Sequence, residues 1–537
     1  MLLAAVGLQG ISRAWMPRLS FLDFPGRTLG VWVVSGCVSE APGGLKKRML
    51  ISGLGFRIAM KEYDLIIIGT GSAMNIVETM IQENPNIRIA VIDKDEPGGI
   101  CLTRGCIPSK ILLYPAELVR TVEEARALGI DAQVGKVDFG RIMERMRTLV
   151  GKDIEDIRVG LSESKNIDYY HSTAEFVSPY TLKVDGTMIT SRMMFLCIGS
   201  KTTIPPIKGI DRVNYHTSDT VLKLRQLPES MAIIGGGYIA AEYGHFFSSM
   251  GSKVTIIGRN PQFLPEEEPE VSALAKRDLS RHIRILTNHE VREIKENPGG
   301  LKELAVVDRK TGKSANVMAK EVMIATGRGP ITDILHPEKA GIKLTGDGWI
   351  AVNEYLETSQ PNIWALGDAD GKYPFKHVAN YESGIVYYNA VLKRSVKVDY
   401  HAVPHAVFTY PEVAGVGLRE KEALEKYGSD KVLIGFHKYE DTAKGEAMNV
   451  KDYFVKVIVE ADSERILGAH IVGPQASVLI HEIIPLMNTQ DGSLRPIREM
   501  MHIHPALSEV VERAFQSLMP AEHYHHHMDP SRQLVEA

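Results

Sequence analysis

Apolar residues along this chain come mostly in short unbroken runs that stop at a glycine, rather than in long helical stripes. A continuous apolar run buried on both faces is what a strand inside a helix-covered parallel sheet requires. Apart from Asp64, residues 63 to 68 form such a run and end in Gly69-Thr70-Gly71. The pattern predicts a strand turning into a helix, with Gly69 making the tight turn. Gly71 would let the backbone approach a phosphate at the helix N-terminus. The third position of this fingerprint is Met74 rather than glycine, which puts the close helix–strand packing in doubt but not the phosphate contact. A second strand, 88 to 92, ends at Asp93, where a carboxylate can hold a ribose. The same strand–turn–helix pattern returns about 165 residues later as Met231 to Ile234, Gly235-Gly236-Gly237 and Tyr238 to Glu242, so two nucleotide sites are expected. Its following strand, 253 to 257, runs into Gly258 and Arg259. A carboxylate that would take two ribose hydroxyls is missing there, and Arg259 is available for a 2′-phosphate. Further strand–glycine turns occur at Phe195 to Gly199, Glu321 to Arg328 (through Gly327) and Asn362 to Asp368. Beyond about 399 the texture changes to alternating strands and helices.

The chemistry concentrates in Gly98-Gly99-Ile100-Cys101-Leu102-Thr103-Arg104-Gly105-Cys106-Ile107-Pro108-Ser109-Lys110. A glycine-rich loop should carry both cysteines into a helix at 109–111, and their spacing lets the two sulfurs face each other. A helix N-terminus with Arg104 and Lys110 nearby favours a thiolate. At the far end, His504 is followed by Pro505 and, five residues on, by Glu509. That is the base-and-orienter half of a nucleophile–base–orienter set. His502 is read as a bystander, Cys197 as a core residue and His377 as structural.

The stretch from Gly98 to Lys110 closely resembles the redox segment of the class I pyridine nucleotide–disulfide oxidoreductases, and the resemblance extends over roughly 60–519. It implies an α/β fold with two Rossmann-like domains, for FAD and NAD(P), and a C-terminal α+β dimerisation domain. The expected boundaries are 60–205 and 329–398 for the FAD-binding parts, 206–328 for NAD(P) and 399–519 for dimerisation. It further implies a redox-active Cys101–Cys106 disulfide, with Cys106 toward the flavin and Cys101 attacking substrate. Lys110 would pair with Glu242 beside the flavin, Gly199 and Asp368 would close the FAD site, and Tyr238 would lid the nicotinamide pocket. In a homodimer, His504 and Glu509 would serve the other subunit's cysteines. Ala240 and Arg259 resemble NADPH-using members, although the acidic 265–268 stretch lacks a second phosphate-binding arginine. The motifs CLxxGCIPSK and HPxLSE point to a dihydrolipoyl dehydrogenase-like enzyme acting on lipoamide and its dithiol. The alternative is an NADPH-dependent reductase of a low-molecular-weight disulfide, similar to mycothione or glutathione reductase. Mercuric reductase is disfavoured because no cysteine follows Cys197. A redox-silent flavin-binding structural subunit is the alternative of another class, disfavoured by the intact cysteines and the His504/Glu509 pair.

Composition sharpens this picture only in places. At 537 residues the chain must divide into several domains. A net charge of −4 gives no basic field for nucleic acid or an acidic membrane. Four cysteines are too few for a secreted disulfide scaffold, and they fit a reducing cytoplasm with one catalytic pair. No metal-ligand frame stands out. Residues 1–59 carry seven Lys or Arg against two acids. They read as a leader or as sequence upstream of a true start at Met60, and are expected to lie outside the fold. The tail 520–537, with its histidines at 525–527, exceeds the family pattern, and those histidines have no metal-ligand frame.

Overall fold

The computed structural model describes residues 60–528. The expectations for 1–59 and for the last nine residues lie outside them.

Two parallel sheets organise the chain. The first has five strands in the spatial order Ile363–Ala365, Met194–Leu196, Leu65–Ile68, Ile89–Ile92 and Ile167–Tyr170, every neighbouring pair parallel. Leu65, Ile66 and Ile67 are fully buried, because helices or other strands cover both faces. Its last-added strand comes from nearly 170 residues downstream of Met194–Leu196, so this unit is built from two separated stretches of sequence. The second sheet places Ile283–Leu286, Lys253–Ile257, Ser230–Ile234 and Glu321–Ile324 side by side, again all parallel. In each sheet the strand that opens the unit sits centrally, and its helix N-terminus faces the crevice at the strands' carboxyl ends.

The helix after the first turn, Met74–Glu83, packs closely despite its third-position methionine. Met74 is buried in the same apolar cluster as Leu65 and Ile67, so an unbranched side chain fills the gap that glycine would close.

The C-terminal unit is an antiparallel sheet of six strands in the order Pro404–Val407, Val413–Gly417, Ile466–Val472, Phe454–Glu460, Val432–Lys438 and Met519–Pro520. The start of the tail belongs to this unit. Pro520 pairs with Leu433, and the helix Ala521–Met528 buries Tyr524 beside Ile434 and Ile458. His525 also has a carboxylate partner, with Nε2 2.6 Å from Glu420 Oε1. Residues 520–528 are therefore part of this domain's surface layer.

A buried ion cluster joins this sheet to the second nucleotide unit. Lys456 Nζ lies 3.1 Å from Glu268, 2.5 Å from Glu270 and 2.6 Å from Glu420. These three carboxylates are close enough together to suit a cation, and the lysine is that cation.

Candidate active site

The first turn builds a cradle from small residues. A side chain at Gly69 would meet the Cys197 carbonyl at 2.2 Å, and one at Gly99 would meet Gly71 Cα at 2.8 Å. A Cβ at Gly71, by contrast, would touch nothing within 4 Å, so the space beside it is left for a ligand. Thr70 ties the cradle together. Its backbone N–H and its hydroxyl both donate to Asp93 Oδ2, at 2.8 and 2.6 Å, and its hydroxyl accepts from Gly98 N–H at 2.9 Å. Asp93 is thereby oriented into the cavity that Gly71, Gly199 and Asp368 also line. Ser200 donates to Asp368 Oδ2, and Arg328 donates to the Ser200 hydroxyl at 2.6 Å and its carbonyl at 2.7 Å. Dinucleotide phosphates at the helix N-terminus, a ribose at Asp93 and polyol hydroxyls at Asp368 all suit these groups. The cradle therefore fits FAD.

The cysteine segment is more helical than its glycines suggest. Gly99–Arg104 and Cys106–Glu124 are both helices, broken only at Gly105. A side chain at Gly105 would crowd the Ile100 carbonyl at 2.8 Å, so glycine allows the sharp joint that brings the two sulfurs together. Both cysteines are free thiols here. They are electrostatically unequal. A hydrogen bond from Cys106 holds the Cys101 thiol down at about 7, against its burial, and the charge of Lys376 adds to the effect. The Cys106 thiol is pushed up, chiefly by that same bond with Cys101, although the residue itself is exposed. Cys101 is therefore the favoured thiolate.

The cation that serves Cys101 is not the one expected. Arg104 Nη2 is 2.6 Å from Asp95 and its Nε is 3.4 Å from Asp219, so its charge is already answered. Lys376, the first residue of the helix Lys376–Val386, takes that place, anchored by a 2.8 Å bond to Ser72. Burial lowers its ammonium's pKa. Nothing in the local pattern marks it, since it lies about 270 residues from the cysteines. Cys197 is a different case: burial pushes its thiol up to about 12, and its contact to the Gly69 carbonyl is 3.8 Å. His377 bonds the Pro404 carbonyl at 2.7 Å.

Lys110 reaches Glu242, with Nζ 2.9 and 2.8 Å from the two carboxylate oxygens. The Phe408 N–H donates to the same carboxylate at 3.1 Å. Glu242 lies one turn beyond Tyr238 on the helix Tyr238–Met250, which starts directly after Gly237. At this second turn a Cβ on Gly235 would strike the Ala325 carbonyl at 2.1 Å, while one on Gly237 meets nothing. A cavity of about 1420 Å³ runs from this turn past Tyr238, Lys110 and Glu242 to Cys106 and Cys101. Arg259 and Gly327 also line it. The two cavities share Cys101, Lys376 and Asp368, while Cys106 lines only the second, so Cys101, and not Cys106 as expected, is the cysteine that reaches the first cavity. Glycine turns, an open phosphate side and an exposed arginine suit a pyridine nucleotide here.

His504 Nδ1 is 2.8 Å from Glu509 Oε1, and Ala506 N–H holds the other oxygen at 3.0 Å. The His504 bond, then the backbone bond, draw the Glu509 carboxyl below its ordinary range. His504 faces solvent, its side chain 68% exposed, over a buried Glu509, and the pair lines neither cavity. His502 is buried between Glu482 at 3.8 Å and Glu512 at 3.5 Å, which fastens the segment ahead of His504.

No helix among the described residues is long and apolar enough to cross a membrane. Residues 63–383 match the pyridine nucleotide-disulphide oxidoreductase family, and 403–515 match its dimerisation domain. A mycothione reductase from Mycobacterium tuberculosis is 35% identical over 86% of this chain and 100% of its own length. A dihydrolipoyl dehydrogenase from Synechocystis is 33% identical over 85% and 98%. A mercuric reductase from Staphylococcus aureus is 32% identical over 78% and 76%. An HOCl-induced flavoprotein disulfide reductase from Escherichia coli, in its Cu(II) complex, superposes with a TM-score of 0.75 at 28% identity, over 85% of this chain and 99% of that one.

Proposed function

From the premise that the chain belongs to the pyridine nucleotide-disulphide oxidoreductase family, we propose that Cys101 and Cys106 exchange two electrons with a small disulfide or dithiol. The observation that carries the reading is the adjacent thiol pair, with Cys101 lining both nucleotide cavities and Cys106 lining the second. FAD and a pyridine nucleotide belong to the family's chemistry; bound, they bring the electron pair that keeps the cysteines reduced.

The residues' own steps balance as follows. The Cys101 thiolate attacks one sulfur of a substrate disulfide, forming a mixed disulfide and releasing the other sulfur as a thiolate. His504, held by Glu509, supplies that thiolate's proton. Cys106 then attacks the Cys101 sulfur, freeing the second substrate thiol and closing the Cys101–Cys106 disulfide. One disulfide becomes two thiols, and the cysteine pair is oxidised by two electrons. Each step reverses, so a dithiol can be oxidised by the same groups. About 30 mV is worth about 1.4 kcal/mol in such a couple, and substrate ratios set the direction.

The nucleotide site favours a reductase that draws on NADPH. Gly258 and Arg259 stand where a ribose-binding acid would exclude a 2′-phosphate, and Arg309 lies beside them, donating to the Arg259 carbonyl at 2.8 Å. The second reading is a dihydrolipoyl dehydrogenase-like enzyme, favoured by the CLxxGCIPSK and HPxLSE patterns. In either reading the protein works as a homodimer in a reducing cytoplasm. The test is a turnover panel of NADPH and NADH against lipoamide, glutathione disulfide and a bulkier thiol disulfide. NADPH-dependent reduction of a low-molecular-weight disulfide is expected. NADH–lipoamide turnover would select the second reading, and no turnover with any disulfide would overturn both.

A further inference from the structure

We propose that Lys376 is a ligand of the FAD diphosphate. The proposal rests on reading the first cavity as the FAD cradle.

Two helices begin side by side at this cavity, Met74–Glu83 and Lys376–Val386. Asn380 ties their starts together, its Oδ1 accepting from the Ser72 hydroxyl and from the Asn75 side-chain amide, each at 3.0 Å. Both starts are bare. Neither helix has an acidic residue in its first turn or a capping side chain. The positive ends of two helix dipoles therefore meet at one place without an answering charge of their own.

Lys376 adds a full charge there. Its Nζ donates to the Ser72 hydroxyl at 2.8 Å, one residue beyond Gly71, where a Cβ would touch nothing within 4 Å. Gly71, Ser72 and Lys376 all line the first cavity. Among the described residues Lys376 enters no ion pair, and the charged groups that act on it are the thiols of Cys101, Cys106 and Cys197. Lys110, the other lysine near the cysteines, already has both oxygens of Glu242. An ammonium drawn out of water onto a hydroxyl is costly unless an anion meets it. Ser72 fixes this one at the glycine turn, where free N–H groups of a helix start suit a phosphate. No other part of oxidised FAD carries a permanent charge. The same ammonium holds down the Cys101 thiol, so the cofactor's anchor and the reactive sulfur share one cation.

The experiment measures FAD release: the flavin-loaded enzyme is diluted, and freed FAD is read by its fluorescence. Lys376→Met should weaken FAD about 10- to 150-fold, the loss of one charge-assisted hydrogen bond. Lys376→Arg, which keeps the charge, should stay within about fivefold of the parent. Phosphorus NMR of the loaded enzyme then tells which part of FAD lost its partner. The diphosphate resonances should move in Lys376→Met and hold their place in Arg104→Met, whose guanidinium is already paired with Asp95 and Asp219. If Lys376→Met does not fold, Lys376→Gln carries the test, since it is close in size and keeps a donor for Ser72. An FAD affinity within about twofold of the parent's, or a loss that leaves the phosphorus resonances unmoved, would overturn the assignment alone. So would Lys376→Arg binding FAD as weakly as Lys376→Met. A parent enzyme that holds no FAD would overturn the reading of the first cavity, and the lysine's role with it.

Discussion

Lys110 and Glu242 sit 132 residues apart in sequence, yet both carboxylate oxygens lie within 2.9 Å of the lysine nitrogen. The bond ties the cysteine helix to the helix of the second nucleotide turn, next to Cys106 in the cavity both helices line. Glu242 is buried and Lys110 about one-third exposed. Glu242→Ala should therefore lower the unfolding free energy by about 1–3 kcal/mol, below the cost of breaking a fully buried pair. Denaturant unfolding of the flavin-loaded protein checks this, and an unchanged midpoint would show that the pair holds nothing together.

Cys101 should alkylate ahead of Cys106. In the reduced enzyme, iodoacetamide labelling followed by peptide mass spectrometry should show Cys101 reacting with a midpoint near pH 7. Lys376→Met removes a cation that favours the thiolate, so this midpoint should move upward, and Arg104→Met should leave it nearly in place. Equal shifts in the two variants would return to Arg104 the role that the geometry assigns to Lys376.

Arg259→Ala should weaken NADPH about 10- to 150-fold, the equivalent of losing one charge-assisted hydrogen bond, while barely changing NADH. Steady-state KM values for the two cofactors decide it. A matched loss for both would mean that Arg259 does not read the 2′-phosphate.

The exposed His504, held by the buried Glu509 apart from both cavities of its own chain, leads us to expect a site completed by a second subunit. Cys101→Ser and His504→Ala homodimers should each be nearly inactive, since a lost general acid–base alone costs about 10²- to 10⁴-fold. When the two chains are co-expressed, about half the dimers are mixed, and each mixed dimer has one intact site. About a quarter of parental activity should return. Recovery no greater than that of the two homodimers would place both groups in one chain.

Glu382 gives a pH signature to the wall behind the first cavity. Burial, followed by the neighbouring Asp370, raises its carboxyl to about 7, while it accepts bonds from Gly367 N–H at 2.5 Å and the Tyr400 hydroxyl at 2.6 Å. A carboxyl whose folded pKa lies above its unfolded value of about 4.5 binds more protons in the folded state. Its stabilising protonation is complete below about pH 4.5 and is lost as pH rises through about 7. Glu382→Gln, which stays neutral, should flatten the fall in stability between those values by on the order of 1–3 kcal/mol. A slope identical to the parent's in chemical denaturation across that range would remove Glu382 as its source.

Much of this protein is written locally. The runs ending at Gly69 and Gly235 announce strands buried on both faces, because only such strands are apolar without interruption. The glycines themselves report backbone approaches of 2.1–2.8 Å that no side chain survives. The cysteine spacing and the His504–Glu509 offset are likewise short-range facts. What the chain order could not reveal was which distant residue answers each charge. Arg104 is nearest to Cys101 in sequence but is bound by Asp95 and Asp219, while Lys376 arrives from the start of another helix. The tail beyond 520 exceeds the family pattern, and Tyr524 in it is buried because the sheet edge at Val432–Lys438 offers it an apolar surface. Charge pairing and burial depend on which surfaces meet in space, and that meeting is set by the packing of whole domains rather than by any local pattern.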